Sequence, residues 1–556
     1  MPTFPTVTPR RAAVALPFVG YALWTVEAIS GNPNPTWMAA LLVYAAVAGA
    51  AGAYLTGRNG LDLLARVDRR SDRIAIVLIA VFALTLSVVN VLQSFFFAPG
   101  VYAEDTAYYT QLLWNTLSGD ILVGNLVQER LYDPPVQSDL ALHISPGIFA
   151  LLPFYLVASD HLTLLILRDV ALAVAAWPLY TVAKERLGGG AAIAAMLLYM
   201  TNPIIVSQGI SAFYLLQFAP LAFFFALRAY LRKQLNAFLF WMLAGLSLRE
   251  DVAITFAGFG VLALLQRYPL RWVLLGLGVP VFWWGFATLV ALPAFGRLGR
   301  SSFDVALAGG SETPLGAYRV LLMEPAWIVE AIANDGAKYL LQLLAWSAYL
   351  GLLGAEGILA APGAAAHLFL GRVAIDGLDI YSRFAVLPAC ALIATSALVI
   401  ARLRARRPSV PSGLWVCCLL LLPAVSVLDG NKDLVQRTLI QVATGNDRGA
   451  LIEALSLVPK GAPVAAPQYA LPHLANRPKL YYLEELYMYP DPRPEYYLVD
   501  RNRDRLWLNA ERAAWYYTFI EQLFDSSELE VVWARGDYAL LRQATARGDS
   551  PESSGG

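Results

Sequence analysis

The sequence predicts an all-α, polytopic membrane protein with a small C-terminal α/β domain. Of its 556 residues, 58% are hydrophobic and only 15% are charged, whereas soluble domains carry about 25% charged residues. Apolar runs long enough to cross a bilayer, which takes roughly 20 residues per helix, recur as far as residue 428. Beyond that residue, short segments bounded by Pro and Gly replace them. The composition therefore excludes a soluble globular enzyme.

The apolar runs and the basic residues between them predict the membrane topology. We expect about 11 to 13 spans, some of them half-length or re-entrant, beginning with an uncleaved helix at about 12–28 and a second at 36–55. The charged stretch 58–73 follows as a loop, and the positive-inside rule places it and the N-terminus in the cytoplasm. External loops are expected at about 98–145 and 294–336. The first of them is acidic, because it contains six carboxylates and one arginine.

The chain divides into four predicted segments. Residues 1–73 hold the first two spans and the cytoplasmic loop, 74–428 form the transmembrane core, 429–544 form an extracytoplasmic α/β domain, and 545–556 form a disordered tail. Short alternating runs predict the strands of the α/β domain, and helical spacing predicts two helices. The strands are expected at 463–466, 479–483, 495–499, 529–533 and 538–542, and the helices at 449–458 and 509–524.

A short helix with two acidic residues at its start is predicted where the chain leaves the membrane for the first external loop. Apolar and aromatic side chains recur in residues 103–119 at helical spacing, namely Tyr109, Leu112, Leu113 and Leu117. We expect this amphipathic helix to lie along the outer interface and to hold Glu104 and Asp105 at the membrane surface. A carboxylate there could act as a general base, or contact a cation or a sugar. The alternative for Asp105 is an N-cap, which accepts hydrogen bonds from backbone N–H groups.

His143 is one of only four histidines and lies where the external loop re-enters the membrane. It could be a metal ligand, a proton shuttle or a phosphate contact. The alternative is an interfacial histidine without chemistry, since the tight spacing of a known metal motif is missing.

Two groups of charged residues interrupt apolar runs. Arg249, Glu250 and Asp251 separate two segments that are too short to span a membrane alone, and Arg168 and Asp169 lie inside a longer run. Charges at such depth line a polar cavity or pair with one another, and both alternatives stay open for each group.

Charge balance and cysteine usage exclude two further classes of function. The chain has 41 basic and 41 acidic residues, whereas a nucleic-acid-binding surface needs a basic excess. Cys390, Cys417 and Cys418 all lie inside apolar runs, which indicates neither a disulfide framework nor a thiolate metal site.

Several motifs of the chain resemble one family of bacterial membrane proteins. The matching residues are Asp105, Tyr109, Gln111, Trp114 and Gly119, then His143, Ser145 and Pro146, then Leu152, Pro153 and Tyr155, then Arg249, Glu250 and Asp251, and finally the stretch 471–477. They resemble domain-of-unknown-function family 2079, whose members are similar to the GT-C glycosyltransferase superfamily. The likeness covers most of the chain beyond about residue 74.

The chain departs from the family pattern at three places. Tyr214 stands where the family usually has a histidine, Arg249 stands where lysine is usual, and the stretch 379–381 lacks another expected histidine. The loss of two histidines weakens a metal site, although a divalent cation remains open. Asp105 is unaffected.

The resemblance implies a GT-C-like enzyme of the bacterial plasma membrane with its active site at the outer face. Such an enzyme passes a sugar from a polyprenyl phosphate to a glycan, lipid or protein acceptor. By that analogy Asp105, with Glu104, forms the catalytic pair. The substrate contacts would be His143, Arg249, Glu250, Asp251, Tyr109 and Gln111.

A non-catalytic lipid-binding or transport protein that retains this fold is the alternative function. In that case the charged groups at Arg168, Asp169 and Arg249 to Asp251 would line a translocation path.

Overall fold

The computed structural model describes residues 50–97, 103–130, 138–295, 336–347, 349–371, 379–421, 423–443, 447–489, 491–502 and 510–544, with isolated positions at 47, 326, 329 and 333. The predicted span at 12–28, most of the one at 36–55, nearly all of the loop at 294–336 and the tail from 545 lie outside the described residues.

Helices make up most of the described chain before residue 460. They are α1 (Arg58–Phe95), α2 (Ala103–Leu117), α3 (Asn125–Gln128), α4 (Leu152–Val157), α5 (His161–Val174), α6 (Ala176–Leu187), α7 (Gly189–Met200), α8 (Pro203–Ile210), α9 (Ala219–Leu231), α10 (Leu235–Leu246), α11 (Val252–Leu265), α12 (Leu270–Phe286), α13 (Leu292–Ala294), α14 (Ala337–Trp346), α15 (Ala361–Gly371), α16 (Val386–Arg406), α17 (Ser412–Leu420), α18 (Ala424–Ala443) and α19 (Arg448–Leu457). Short 3-10 segments at Asp139–Ala141, Pro146–Leu151, Leu215–Phe218, Leu350–Leu353, Ala355–Leu359 and Arg383–Ala385 connect them.

Four helical segments of the described chain are long and apolar enough to cross a membrane, namely Arg58–Phe95, His161–Leu187, Leu270–Ala294 and Arg383–Arg406. The pair α7 and α8, bent by 53° at its break, makes a fifth if it counts as one span. Shorter apolar helices, such as α10 and α11, fit the prediction of half-length segments. The described residues thus contain fewer full-length spans than the sequence predicted, since breaks divide several apolar runs.

The charged stretch 58–73 is helical, where the sequence predicted a loop. α1 runs through it without a break and is 38 residues long. Tertiary contacts stabilise this half of the helix, because Asp72 accepts hydrogen bonds from Lys184 at 2.6 Å and from Tyr180 at 2.8 Å. The prediction of a loop is therefore wrong, and the cytoplasmic position of the stretch stays a prediction.

A buried ion pair joins α1, α5 and α8 inside the core. Arg168 and Asp169 are both fully buried, and the guanidinium donates to the Asp169 carboxylate at 2.9 and 3.0 Å. The remaining donors of Arg168 bond the carbonyl oxygens of Gly209 and Ser211, and Asn90 donates to Asp169 at 2.9 Å. Buried charges persist only where such partners replace water. Because the charged groups of Arg168 and Asp169 have these hydrogen-bond partners, they form a structural ion pair. This is the second of the two alternatives that the sequence left open for them, a polar cavity or a pair.

The C-terminal domain is built on a five-stranded mixed sheet. Its elements after α19 are β1 (Val464–Ala466), α20 (Leu471–Leu474), β2 (Leu480–Tyr482), β3 (Tyr496–Asp500), α21 (Ala510–Asp525), β4 (Leu529–Arg535) and β5 (Tyr538–Gln543). The strand order is β2-β1-β3-β5-β4, with β1 parallel to β2 and β3 and with β5 antiparallel to β3 and β4. The five strands and both helices predicted from the sequence are confirmed to within two residues.

The C-terminal domain packs against the end of α1 that lies farthest from its charged half. The ring of His473 lies 4.4 Å from that of Phe97, and the Arg448 guanidinium lies 3.7 Å from the centre of the Phe95 ring. The Tyr155 hydroxyl donates to the side-chain oxygen of Asn476. The domain therefore covers one end of the helical core.

Replacing Asp169 by Ala should destabilise the core strongly. The substitution leaves the Arg168 guanidinium buried without its carboxylate, and breaking a buried pair in this way costs about 3–5 kcal/mol. Thermal unfolding in detergent should show a much lower Tm for Asp169→Ala than for the wild type.

Asp491→Ala is the matched control for that substitution. The Asp491 side chain is 68% exposed and pairs with Arg493 at the surface, where an ion pair contributes about 0–1 kcal/mol. Equal Tm values for the two variants would contradict a structural role for the buried pair.

Candidate functional site

The two acidic residues predicted to be catalytic lie in the first turn of α2. Negative side chains are favoured there, since the unpaired backbone N–H groups of a helix start carry partial positive charge. The helix does not lie on an exposed interface, because Gln111, Leu112 and Leu113 are fully buried. The prediction of an interfacial helix is therefore wrong, since its polar side contacts protein instead of water.

The C-terminal domain provides the cover over α2. The Gln111 amide donates to the carbonyl oxygens of Arg477 and Pro478 at 3.2 and 3.1 Å, and to the Asn125 side chain at 2.9 Å. These bonds give Gln111 a role in domain docking, and the predicted substrate contact stays a prediction.

The neighbour of Asp105 is the residue at which the chain departs from the family pattern. The Tyr214 hydroxyl donates a hydrogen bond to the Asp105 carboxylate. Two hydrogen bonds fix the position of Tyr214 next to Asp105. The Thr106 hydroxyl accepts one from the Phe213 backbone N–H at 2.9 Å, and the Gln217 side chain accepts the other from the Tyr214 backbone N–H at 2.9 Å. Asp105 is the third residue of its helix, so the N-cap alternative is wrong.

Arg383 brings a positive charge to this carboxylate, and sequence reasoning missed it. Its guanidinium lies 4.1 Å from the centre of the Tyr214 ring and 5.4 Å from that of Phe384. The Nε atom is buried and has no hydrogen-bond partner in the described part of the chain. Arg383 thus retains donor capacity for a ligand, beside Asp105.

The charged triplet at residues 249–251 lies close to the same aromatic ring as Arg383. It lies in the predicted break, after α10 and before α11. The Nε atom of Arg249 donates to the Asp251 carboxylate at 2.8 Å, and its guanidinium lies 5.1 Å from the centre of the Phe384 ring. Two guanidinium groups therefore approach the same aromatic ring. Arg249 is paired with Asp251, whereas no carboxylate pairs with Arg383 among the ion pairs of the described residues.

His143 pairs with the middle residue of that triplet. Its Nδ1 atom lies 2.9 Å from Oε1 of Glu250, and Oε2 of Glu250 accepts from the Ile144 N–H at 3.0 Å. The backbones of Gly147 and Ser247 approach each other closely and bring His143 next to Glu250. The Gly147 N–H donates to the Ser247 carbonyl oxygen at 2.7 Å, and a Cβ atom at position 147 would lie only 2.9 Å from that oxygen. The His143 side chain is 41% exposed, so it remains accessible to a ligand.

Asp139 and Tyr108 form a buried hydrogen bond that sequence reasoning did not find. The Tyr108 hydroxyl and the Ser145 hydroxyl both donate to the Asp139 carboxylate. Tyr109, predicted to bind substrate, packs its ring 5.2 Å from that of Phe213. Burial, followed by the charge of Asp139, raises the pKa of the Tyr109 hydroxyl, and the charges of Arg249 and Arg383 lower it.

Glu104 faces the C-terminal domain. Its carboxylate accepts a hydrogen bond from the Gln468 side chain, and the Gln468 backbone N–H donates to Glu484 at 3.1 Å. Burial, together with the charge of Asp105, raises the pKa of Glu104 to about 7. Burial also raises the pKa of Glu484 to about 8. Removal of water disfavours the charged form of both carboxyls.

Within the described residues, no group of three or more His, Cys, Asp or Glu side chains is arranged to hold a metal ion. His143 and Glu250 form only a pair. The divalent cation stays a prediction.

The combined arrangement suits one class of chemistry. It places a carboxylate that can take a proton close to the charge of Arg383, and a second guanidinium group, that of Arg249, near the same phenyl ring as Arg383. Such a site can activate a hydroxyl group and stabilise a phosphate that gains charge.

Glu104 should make the stability of the protein depend on pH. The unfolded carboxyl loses its proton near the ordinary pKa of 4.5, whereas the folded one keeps it up to about 7. Raising the pH across that window therefore favours the unfolded state. The Tm of the wild type should fall between pH 4.5 and pH 7 by more than that of Glu104→Gln.

Glu521→Gln serves as the control for that pH series, because Glu521 is exposed on α21. Its pH profile should follow the wild type. A Glu104→Gln profile that coincides with both would show that Glu104 titrates as an ordinary carboxyl.

Comparisons with known proteins place the chain in a family. No curated protein matches the sequence significantly. The solved structures that match include ArnT from Cupriavidus metallidurans bound to undecaprenyl phosphate, with a TM-score of 0.46, 13% identity and coverage of 85% of this chain and 98% of that one. They also include the same protein in the apo state, with a TM-score of 0.44, 14% identity and coverage of 84% of this chain and 97% of that one. The profile of the family described as predicted membrane protein DUF2079 matches residues 102–541. The chain therefore belongs to the DUF2079 family of membrane proteins.

Proposed function

We propose that the chain is a membrane glycosyltransferase of the GT-C kind. It transfers a sugar from a polyprenyl-phosphate donor to an acceptor hydroxyl at the outer face of the bacterial plasma membrane. The observation that carries this proposal is the Asp105 carboxylate with Arg383 packed on its partner Tyr214, and with the guanidinium groups of Arg383 and Arg249 both close to the Phe384 ring.

Asp105 acts as the general base. Burial raises the pKa of its carboxyl, while the charge of Arg383 and the hydrogen bond from Tyr214 lower it. The acceptor oxygen attacks the anomeric carbon of the sugar, and the bond from that carbon to the phosphate oxygen breaks. The hydroxyl proton passes to Asp105, and polyprenyl phosphate leaves with one more negative charge. A base that keeps some affinity for the proton suits this step.

Arg383 and Arg249 hold the phosphate. Fixed guanidinium groups stabilise an anion most where its charge grows in the transition state. His143, which is partly exposed and bonded to Glu250, contacts the sugar or the phosphate. Asp251 orients Arg249 through two hydrogen bonds. Glu104 completes the acidic pair, and the acceptor is a glycan, a lipid or a protein.

The course of α1 supports an outer position of the site. Its apolar half separates the arginine-rich stretch 58–73 from the start of α2. Basic segments next to spans usually remain in the cytoplasm, which supports an outer position for Asp105. The C-terminal domain packs on Phe97 at the same end of α1, which supports an extracytoplasmic position for that domain.

Asp105→Asn should lower the rate of sugar transfer by at least about 100-fold, since a general base contributes roughly 10²–10⁴-fold. Asn keeps an oxygen that can accept the hydrogen bond of Tyr214, so expression and Tm should remain close to those of the wild type. The measurement follows transfer from a radiolabelled polyprenyl-phosphate sugar to native membrane extract.

Asp491→Asn, at an exposed position, is the control and should retain full activity. An active Asp105→Asn protein would rule out Asp105 as the base. Movement of intact donor lipid across proteoliposomes without a covalent product would favour the transport alternative.

Arg383→Gln should weaken donor binding by roughly 10- to 100-fold, because a hydrogen bond to a charged group contributes about 1.5–3 kcal/mol. Arg383→Lys should recover part of the loss, as it restores the charge but not the fork of donors. Binding of polyprenyl phosphate to purified protein measures the effect. Arg493→Gln, which changes an exposed arginine, is the control, and equal affinities for Arg383→Gln and Arg493→Gln would contradict the assignment.

A further inference from the structure

Four arginines of α1 line an open cleft that the proposed reaction does not use. Arg66, Arg69, Arg70 and Arg73 surround a volume of about 670 Å³. Their spacing places all four within about 100° of the helix circumference. All four side chains are exposed. They therefore form one positively charged face, called here the arginine face.

The carboxylates of the same helix do not neutralise the arginine face. Asp68 accepts from the Gly190 N–H at 2.5 Å, and Asp72 accepts from Lys184, so both turn toward neighbouring helices. Asp62 lies one turn before Arg66, yet no ion pair within 4 Å joins it or any other described carboxylate to the four arginines. The charge of this face is thus available to an anion.

The exposed side of α1 changes from charged to aliphatic side chains one turn after Arg73. Val77, Val81, Leu84 and Val88 continue the same face of the helix at spacings of four, three and four residues. They are 58%, 52%, 65% and 46% exposed. An exposed aliphatic stripe on a membrane helix faces lipid tails. The boundary between tails and headgroups therefore lies close to Arg73.

We propose that the arginine face binds the phosphate groups of anionic phospholipid headgroups at the surface of the membrane. Arg66 and Arg73 are about 10 Å apart along the helix axis, so the face reaches from the edge of the apolar region through the headgroup layer. Their long side chains extend toward phosphate while the helix remains in place. The aliphatic stripe next to them receives the acyl chains of the same lipid.

The proposal does not rest on glycosyl transfer. Arg66 to Arg73 lie near one end of α1, whereas Glu104 and Asp105 follow its other end. Loss of lipid binding and loss of sugar transfer are therefore separate outcomes.

Native mass spectrometry of the purified full chain tests this directly. The protein is offered equal amounts of phosphatidylglycerol and phosphatidylcholine, and retained lipid is counted. The wild type should retain phosphatidylglycerol at least about tenfold better, because each arginine near an anionic surface contributes about one kcal/mol, or roughly fivefold. Arg69→Gln combined with Arg70→Gln should lose most of that preference, and the corresponding Lys pair should keep it.

The control replaces Arg493 and Arg535, two exposed arginines of the C-terminal domain, by Gln and should leave lipid retention unchanged. Equal retention of both lipids by the wild type would overturn the proposal. Displacement of phosphatidylglycerol by millimolar inorganic phosphate would also overturn it, since the site would then bind free phosphate. If the double variant fails to fold, the comparison of the two lipids on the wild-type protein still tests the proposal.

Discussion

The burial of the acidic first turn of α2 is the constraint on which the structure around it depends. A carboxylate taken out of water needs hydrogen bonds or a counter-charge. Glu104 accepts a hydrogen bond from the Gln468 side chain. Asp105 accepts one from the Tyr214 hydroxyl, and the Arg383 guanidinium packs on the Tyr214 ring. These partners come from the C-terminal domain, from the segment before α9 and from the 3-10 segment before α16. The core and the C-terminal domain therefore complete one site together.

Two buried or partly buried arginines show how a structural charge differs from a functional one. Arg168 is fully buried, with its carboxylate partner adjacent and backbone carbonyls around it, so no donor capacity faces a ligand. Arg383 contacts aromatic rings, and its buried Nε has no hydrogen-bond partner within the described residues. The sequence could not separate these cases, because both residues are arginines that adjoin apolar residues. The groups that contact each guanidinium in the folded structure distinguish the structural arginine from the functional one.

The sheet of the C-terminal domain and the helical nature of the core could be predicted from the sequence, because Pro or Gly flanks at least one end of each strand and hydropathy marks the helices. Tyr214 was noticed only as a departure from a family pattern, and Arg383 belonged to no motif. Their proximity to Asp105 depends on contacts between distant segments, such as the hydrogen bond from Phe213 to Thr106. Local spacing along a chain carries no signal for such contacts. The burial of α2 was missed for the same reason.

The central claim is that this cluster performs chemistry on a lipid-linked sugar, and a panel of donors tests it most directly. Purified wild-type protein is incubated with native membrane extract and a series of radiolabelled polyprenyl-phosphate sugars. The account predicts that label from one donor moves to a new covalent product while an equal amount of polyprenyl phosphate is released. If every donor stays intact although the folded protein binds polyprenyl phosphate, the claim is contradicted.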